Sequence, residues 1–313
     1  MEAMPPSNVG AISSPARIEL EEMIGLKRAG ESFDLTTIRA RAISSGGHLS
    51  PFKGRGVEFD EARPYEPGDD LRTIDWRVTA RTGKPYTKVF REERDRPVIV
   101  WADMREPMLF ATQGVYKAVQ VARTAALIAW STVAHSDRFG GLIFSETEHV
   151  ELRPRLGRRA ALHLLKVLSQ EKIWSRGQSQ DAKVQHAEHA LARLMRVARP
   201  GSLIFLLSDF RDLSLEFETQ LRQLARHCDL FLVHFFDPVE KDLPPPGRYR
   251  VKLGARTMAI DTDPPLIRQG YRKQFEQRQK KLRDIARSAG IHFLECSTAD
   301  DPRELLAGWF ENR

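Results

Sequence analysis

Cysteine is nearly absent. Two occur in 313 residues, Cys228 and Cys296, far apart and without C-x-x-C spacing. This argues against a disulfide framework or a zinc site and predicts reduced, buried thiols. Long apolar runs are also missing. The longest, Ala125–Trp130 and Leu203–Leu207, fall far short of the roughly 20 residues that span a bilayer. Residues 1–16 have neither a basic start nor an apolar centre, so no signal peptide is expected. Together these absences predict a soluble, cytoplasmic protein.

Several chemical motifs are missing as well. No dinucleotide fingerprint follows the first apolar run, where the chain reads Asp103-Met104-Arg105-Glu106-Pro107. There is no G-x-x-x-x-G-K-[ST] loop, no G-x-S-x-G elbow and no H-E-x-x-H helix. The charge surplus is small: 49 Lys+Arg against 42 Asp+Glu give a net +7. Nucleic-acid readers concentrate such charge on one face, and nucleic acid is not the expected partner here.

What the chain does have is alternation. Short apolar runs at Val98–Asp103, Phe139–Phe144, Ser202–Asp209, Asp229–Phe236 and Ile291–Cys296 read as strands. Between them lie helical patterns at Tyr116–Ala134, Ala160–Leu168, Val184–Val197, Leu215–Arg226 and Leu266–Ala289, with a last helix from Pro302. Apolar strands alternating with amphipathic helices predict an α/β fold with a doubly wound, mainly parallel sheet. Arg248–Asp261 interrupts this pattern and reads as an inserted β-hairpin. Residues 17–30 predict a short amphipathic helix that buries Ile18, Leu20, Met23, Ile24 and Leu26. The expected organisation is a tail and helix at 1–32, a smaller module at 33–96 and the α/β domain at 97–313.

Two sets of acids invite a chemical reading. Asp103 and Asp209 end apolar runs, where ligands of such sheets bind. As a pair they suit a hard divalent cation such as Mg²⁺. Arg105 stands beside that position, and pairing of Asp103 with Arg105, or capping of the next turn, is the favoured alternative. The second set lies in Gly54–Arg94. Glu58, Asp60, Asp69, Asp70 and Asp75 have the composition of a two-metal nuclease site. They are interleaved with Arg55, Arg63, Arg72, Arg77 and Arg81, which favours ion pairs or a partner surface. Pro67-Gly68 marks a turn; Asp69 and Asp70 then stand where a short helix carrying Arg72, Asp75, Trp76 and Arg77 would begin. His186 and His189 share a helix face that lacks an evident third ligand and reads as a solvated surface.

Gly54-x-Gly56-x-Glu58-Phe59-Asp60, Arg63-x-Tyr65-x-Pro67-Gly68-Asp69-Asp70, Arg72-x-Ile74-Asp75-Trp76, Ala80-Arg81-Thr82-Gly83 and Phe90-x-Glu92-Glu93-Arg94-Asp95 follow one another in order. This series resembles the signature of the bacterial family called domain of unknown function 58. The resemblance implies that the α/β domain is of the von Willebrand factor A-like type. It also implies partners, a MoxR-type AAA+ ATPase and other von Willebrand factor A proteins, and a non-enzymatic, adaptor or chaperone-like role in assembling or activating clients. Asp103 matches the first aspartate of that fold's D-x-S-x-S metal site and Asp209 a later one. Arg105 and Pro107 replace the serines, and Ser179 lies where a threonine would fall. No cofactor is therefore expected, and Arg63, Tyr65, Asp69, Asp70, Asp75, Trp76, Arg77 and Arg81 form the candidate partner-binding or structural set.

Overall fold

The computed structural model describes residues 14–35, 58–67, 69–91, 96–174, 183–211, 213–253 and 256–311. The chain divides into two compact units, Thr36–Asp95 and the remainder, Met1–Leu35 with Arg96–Arg313. These divisions fall three residues after the 32/33 boundary and one before the 96/97 boundary expected from sequence.

The larger unit opens with two short helices, α1 (Leu20–Gly25) and α2 (Lys27–Glu31). In the smaller unit lie β1 (Glu58–Pro64), α3 (Trp76–Thr82) and β2 (Tyr86–Arg91), the two strands pairing antiparallel. The larger unit resumes with β3 (Val98–Asp103), α4 (Lys117–Ala134), β4 (Arg138–Phe144) and β5 (His149–Leu156). Then come α5 (Arg158–Leu168), α6 (Lys183–Val197), β6 (Leu203–Ser208), α7 (Leu215–Ala225) and β7 (Asp229–Phe236). A one-turn helix α8 (Pro238–Lys241) and a hairpin of β8 (Arg248–Leu253) and β9 (Arg256–Asp261) follow. The chain closes with α9 (Pro265–Ala289), β10 (His292–Ser297) and α10 (Pro302–Glu311).

The central sheet has six strands in the order β10-β7-β6-β3-β4-β5. Five are parallel, and β5 runs antiparallel at one edge. The architecture is α/β with a mostly parallel sheet, consistent with double winding. β3 and β6 are buried along their whole length, which explains why they read as unbroken apolar runs. One face packs Trp101, Leu142, Leu206 and Leu232 against Leu191 and Leu194 of α6, Leu221 of α7 and Leu282 of α9. The other face lies under α4 and α5. Because β3 is followed by β4 on one side and joined by β6 on the other, the strand order reverses between β3 and β6. Ligand crevices of open α/β sheets form at the carboxyl ends of such a pair.

The N-terminal segment packs against α4. Ile18 and Met23 are buried; Leu20, Ile24 and Leu26 are half-buried. Trp130 Nε1 donates to the Met23 carbonyl at 3.0 Å, and Ser131 Oγ to the Phe33 carbonyl at 2.6 Å. Gly30 permits the approach, since a Cβ there would lie 2.7 Å from the Trp130 Cβ. Cys228 and Cys296 are free and buried. Burial pushes the Cys228 thiol up to about 11, so it is inert as a nucleophile at neutral pH.

Two elements differ from the sequence reading. β5 was not anticipated, because HVELRPRL is polar and half-exposed in alternation. The helix expected from Asp69 is instead a three-residue turn, Leu71–Thr73, a break at Ile74 and Asp75, and then α3.

Candidate functional site

At the carboxyl ends of β3 and β6 the chain places acids and cations together. Asp103 is the last residue of β3 and Asp209 follows β6; both are buried. Asp103 Oδ1 accepts from the Arg105 backbone N–H at 3.1 Å and from Arg105 Nε at 2.9 Å. Its Oδ2 accepts from Arg105 Nη2 at 2.6 Å and from Ser208 Oγ at 2.6 Å. The forked guanidinium thus spans both carboxylate oxygens, a short, charge-assisted pair, and its carbon lies 5.5 Å from the Phe144 ring centroid. Burial works against the charged guanidinium, but the Asp103 charge and hydrogen bond hold its pKa above the usual arginine value.

Asp209 is neutralised from α4. Lys117, with no exposed surface, sends Nζ to Asp209 Oδ2 at 2.9 Å and to Glu240 Oε1 at 2.9 Å. Arg211 adds its backbone N–H to Asp209 Oδ1 at 3.2 Å and a guanidinium bond to Glu240. Burial pushes the Asp209 carboxyl up, and Lys117, then Arg211, overcome this and hold it well below the usual carboxylate range. Lysine in the first turn of a helix opposes the macrodipole; here the two carboxylates offset that cost. Next to this group Asp237 accepts from Thr112 N–H at 2.7 Å and Thr298 Oγ1 at 2.8 Å. With Glu240 it forms a capping box on α8.

Asp103 and Asp209 therefore stand at the ends of neighbouring strands, and each already holds a side-chain cation. A divalent ion placed between them would meet the Arg105 and Lys117 charges, so this donor set does not fit one. Arg105 was foreseen as a partner of Asp103. Lys117, Arg211, Glu240 and Asp237 were missed, and the only signal was a lysine heading an otherwise apolar helix. Ser179 lies outside the described residues.

The smaller unit uses its acids differently. Asp69 accepts from the Glu66 backbone N–H at 3.0 Å and pairs with Arg63 at 2.6 Å; the Glu66 bond first, then Arg63, hold its carboxyl below the usual range. Asp70 accepts from the Arg72 N–H at 3.0 Å, capping the Leu71–Thr73 turn. Asp75 is the N-cap of α3, accepting from the Arg77 and Val78 N–H groups at 3.0 and 3.1 Å. Gly83, left-handed at φ 70°, closes the helix. Tyr65 is half-buried, its N–H bonded to the Pro85 carbonyl at 2.9 Å. Among the described residues, Arg63 pairs with Asp69 and, more loosely, with Glu66 at 3.8 Å. Arg72, Arg77 and Arg81 are exposed and make no ion pair among the described residues. Beside them Trp76 is 71% exposed and Leu71 65%. Asp69, Asp70 and Asp75 each serve a separate turn or cap, and no group of three possible metal ligands occurs among the described residues. The side chains of Glu58, Asp60 and His186, and the whole of 54–56, lie outside what is described; His186 and His189 are both on α6, and His189 is exposed.

The family model described as "Protein of unknown function DUF58" matches residues 61–281. Uncharacterized protein Rv1480 of Mycobacterium tuberculosis (strain ATCC 25618 / H37Rv) is 26% identical over 263 residues, covering 83% of this chain and 80% of its own. Uncharacterized protein Mb1516 of Mycobacterium bovis (strain ATCC BAA-935 / AF2122/97) matches to the same extent. Among solved structures, the conserved hypothetical protein BatB from Bacteroides thetaiotaomicron aligns at 14% identity and a TM-score of 0.44, over 69% of this chain and 98% of that one. No described helix is long and apolar enough to cross a membrane.

Proposed function

This chain belongs to the DUF58 family, and from that premise we propose that it is a non-enzymatic interaction protein. It would act as an adaptor or chaperone-like partner of a MoxR-type AAA+ ATPase in the assembly or activation of clients. One observation carries this reading: Trp76 is 71% exposed, with Arg77 and Arg81 beside it on α3 and without ion-pair partners among the described residues. Arg77 and Arg81, four apart, share one face of the helix, and Trp76 adjoins it in the first turn. Large exposed aromatics flanked by arginine are the residues that anchor protein interfaces. The capping of α3 by Asp75 and Gly83 fixes that face in place, so its presentation costs little ordering on binding. Arg63 and Asp69, being paired with each other, support the loop rather than the contact.

We further propose that the α/β unit is of the von Willebrand factor A-like type, with a metal site closed by its own cations. Arg105 stands at a position where that fold carries a serine, and Lys117 reaches the second aspartate. Such a unit would serve as a scaffold whose binding does not depend on Mg²⁺.

The test is a pull-down with purified chain against the MoxR-type ATPase from the same organism, with and without Mg²⁺. Retention lost in the variant Trp76→Ala with Arg81→Ala supports the reading; undiminished retention removes α3 from the interface. In parallel, the pure protein is incubated with Mn²⁺ or Mg²⁺ and DNA or RNA. Metal-dependent cleavage abolished by Asp69→Ala would replace the interaction reading with a nuclease.

A further inference from the structure

The amino ends of the strands carry a second feature, unrelated to the acids at the carboxyl ends. An open cleft of about 730 Å³ lies between the edge strand β5 and the end of α6, floored near Pro97 and Arg138. Six arginines line it against a single acid, Glu151. Five of the six, Arg153 and Arg155 on β5, Arg193 and Arg196 in the last turns of α6 and Arg199 just after it, are exposed and make no ion pair among the described residues. Arg153 and Arg155 both line it from β5, on either side of Pro154, where the register of β5 against β4 shifts. Arg193 and Arg196 are three apart on a helix and share a face.

Local explanations exist for each element alone. Arginines near a helix C-terminus complement the macrodipole, and charges on an edge strand discourage pairing with other chains. Neither explains why two separate elements aim their cations into one concavity. Packed this way the arginines repel each other, and the field reaches neighbours: His149, lowered first by burial, is lowered further by Arg193. An anion in the cleft would remove that repulsion.

The lining narrows the anion. Its apolar members are Pro97, Pro154, Val197 and Ala198, with no aromatic ring, so bases of single-stranded nucleic acid have nothing on which to stack. Pro154 has no N–H to offer, which weakens β5 as a template for an added peptide strand. The volume falls within the roughly 300–1,000 Å³ of small-molecule sites, and arginine forks match phosphate oxygens in pairs. We propose that this cleft binds a small, multiply phosphorylated anion of the inorganic or nucleoside polyphosphate class.

Calorimetry on the intact protein at low salt tests this with three probes: sodium tripolyphosphate, ATP without Mg²⁺, and a 12-nucleotide single-stranded DNA. The expected result is saturable, one-to-one binding of tripolyphosphate, ATP or both. It should weaken at least tenfold in Arg193→Ala with Arg196→Ala, and again in a separate Arg153→Ala with Arg155→Ala. These side chains are exposed, so thermal melting should be unchanged in both variants. Equal affinity for the two anions would assign recognition to the phosphate chain, and tighter binding of ATP would add a nucleoside contact. Absence of heat with both anions at millimolar concentration overturns the proposal. So does binding that neither pair of substitutions weakens, or binding confined to the oligonucleotide.

Discussion

The two ends of the central strands treat charge in opposite ways. At the carboxyl ends of β3 and β6, Asp103 and Asp209 are buried, and Arg105 and Lys117 neutralise them from within the chain. At the amino ends, arginines of β5 and α6 gather around an open cleft with one acid among them. The first end is closed and serves stability; the second is exposed and available to a ligand. The smaller unit repeats the contrast in a few residues: Asp69, Asp70 and Asp75 are spent on a loop and two caps, leaving Arg72, Arg77 and Arg81 facing solvent.

The largest break in this contrast should come from Lys117→Met. It leaves the buried Asp209 and the half-buried Glu240 with Arg211 as their remaining cation, and removing one partner of a buried pair costs about 3–5 kcal/mol. Denaturant unfolding would measure it; a loss under about 1 kcal/mol would mean the carboxyl end is not closed by this lysine. The pH dependence sharpens the same point. Asp209 has a folded value below the ordinary carboxylate value of about 4. Its contribution is therefore fully present above that pH and is lost as pH falls through the folded value. Asp237, Glu295 and Asp301 are lowered too and act in the same direction, whereas Glu146, raised by burial, opposes them. Stability should fall steeply below about pH 4, and less steeply in Lys117→Met, whose Asp209 keeps only the hold of Arg211 and Arg105. Equal slopes would assign the acid sensitivity elsewhere.

A smaller effect is expected from Asp75→Ala, which removes the cap of α3 and should cost about 1 kcal/mol. Local proteolysis or hydrogen exchange across Trp76–Thr82 would register it. At the open end, Arg193→Ala should change stability by no more than about 0.5 kcal/mol, because it has no ion-pair partner among the described residues. A marked loss there would show that the cleft is structural.

Much of this fold could be read from sequence, for a physical reason. Strands buried on both faces, such as VIVWAD and LIFLLS, are continuous apolar runs whatever surrounds them. β5 escaped because an edge strand half-covered by solvent carries Glu151, Arg153 and Arg155 at alternate positions and has no apolar signal. The break at Asp75 escaped because an acid two turns into a helical pattern looks like a surface residue until its backbone turns extended. Asp103 and Arg105 were legible as a pair since they are neighbours in the chain. Lys117 was not, because it meets Asp209 across 92 positions, a separation no spacing rule spans. The arginine cleft was hidden for the same reason: a net charge of +7 looked evenly spread until folding gathered part of it.

The central claim is that the exposed face of α3 makes the functional contact while the buried acids do not. The most direct measurement is the affinity of the intact chain for the MoxR-type ATPase, compared with Trp76→Ala at matched thermal stability. The account predicts at least tenfold weaker binding with no change in melting. Unchanged affinity in a fully folded Trp76→Ala protein would contradict it.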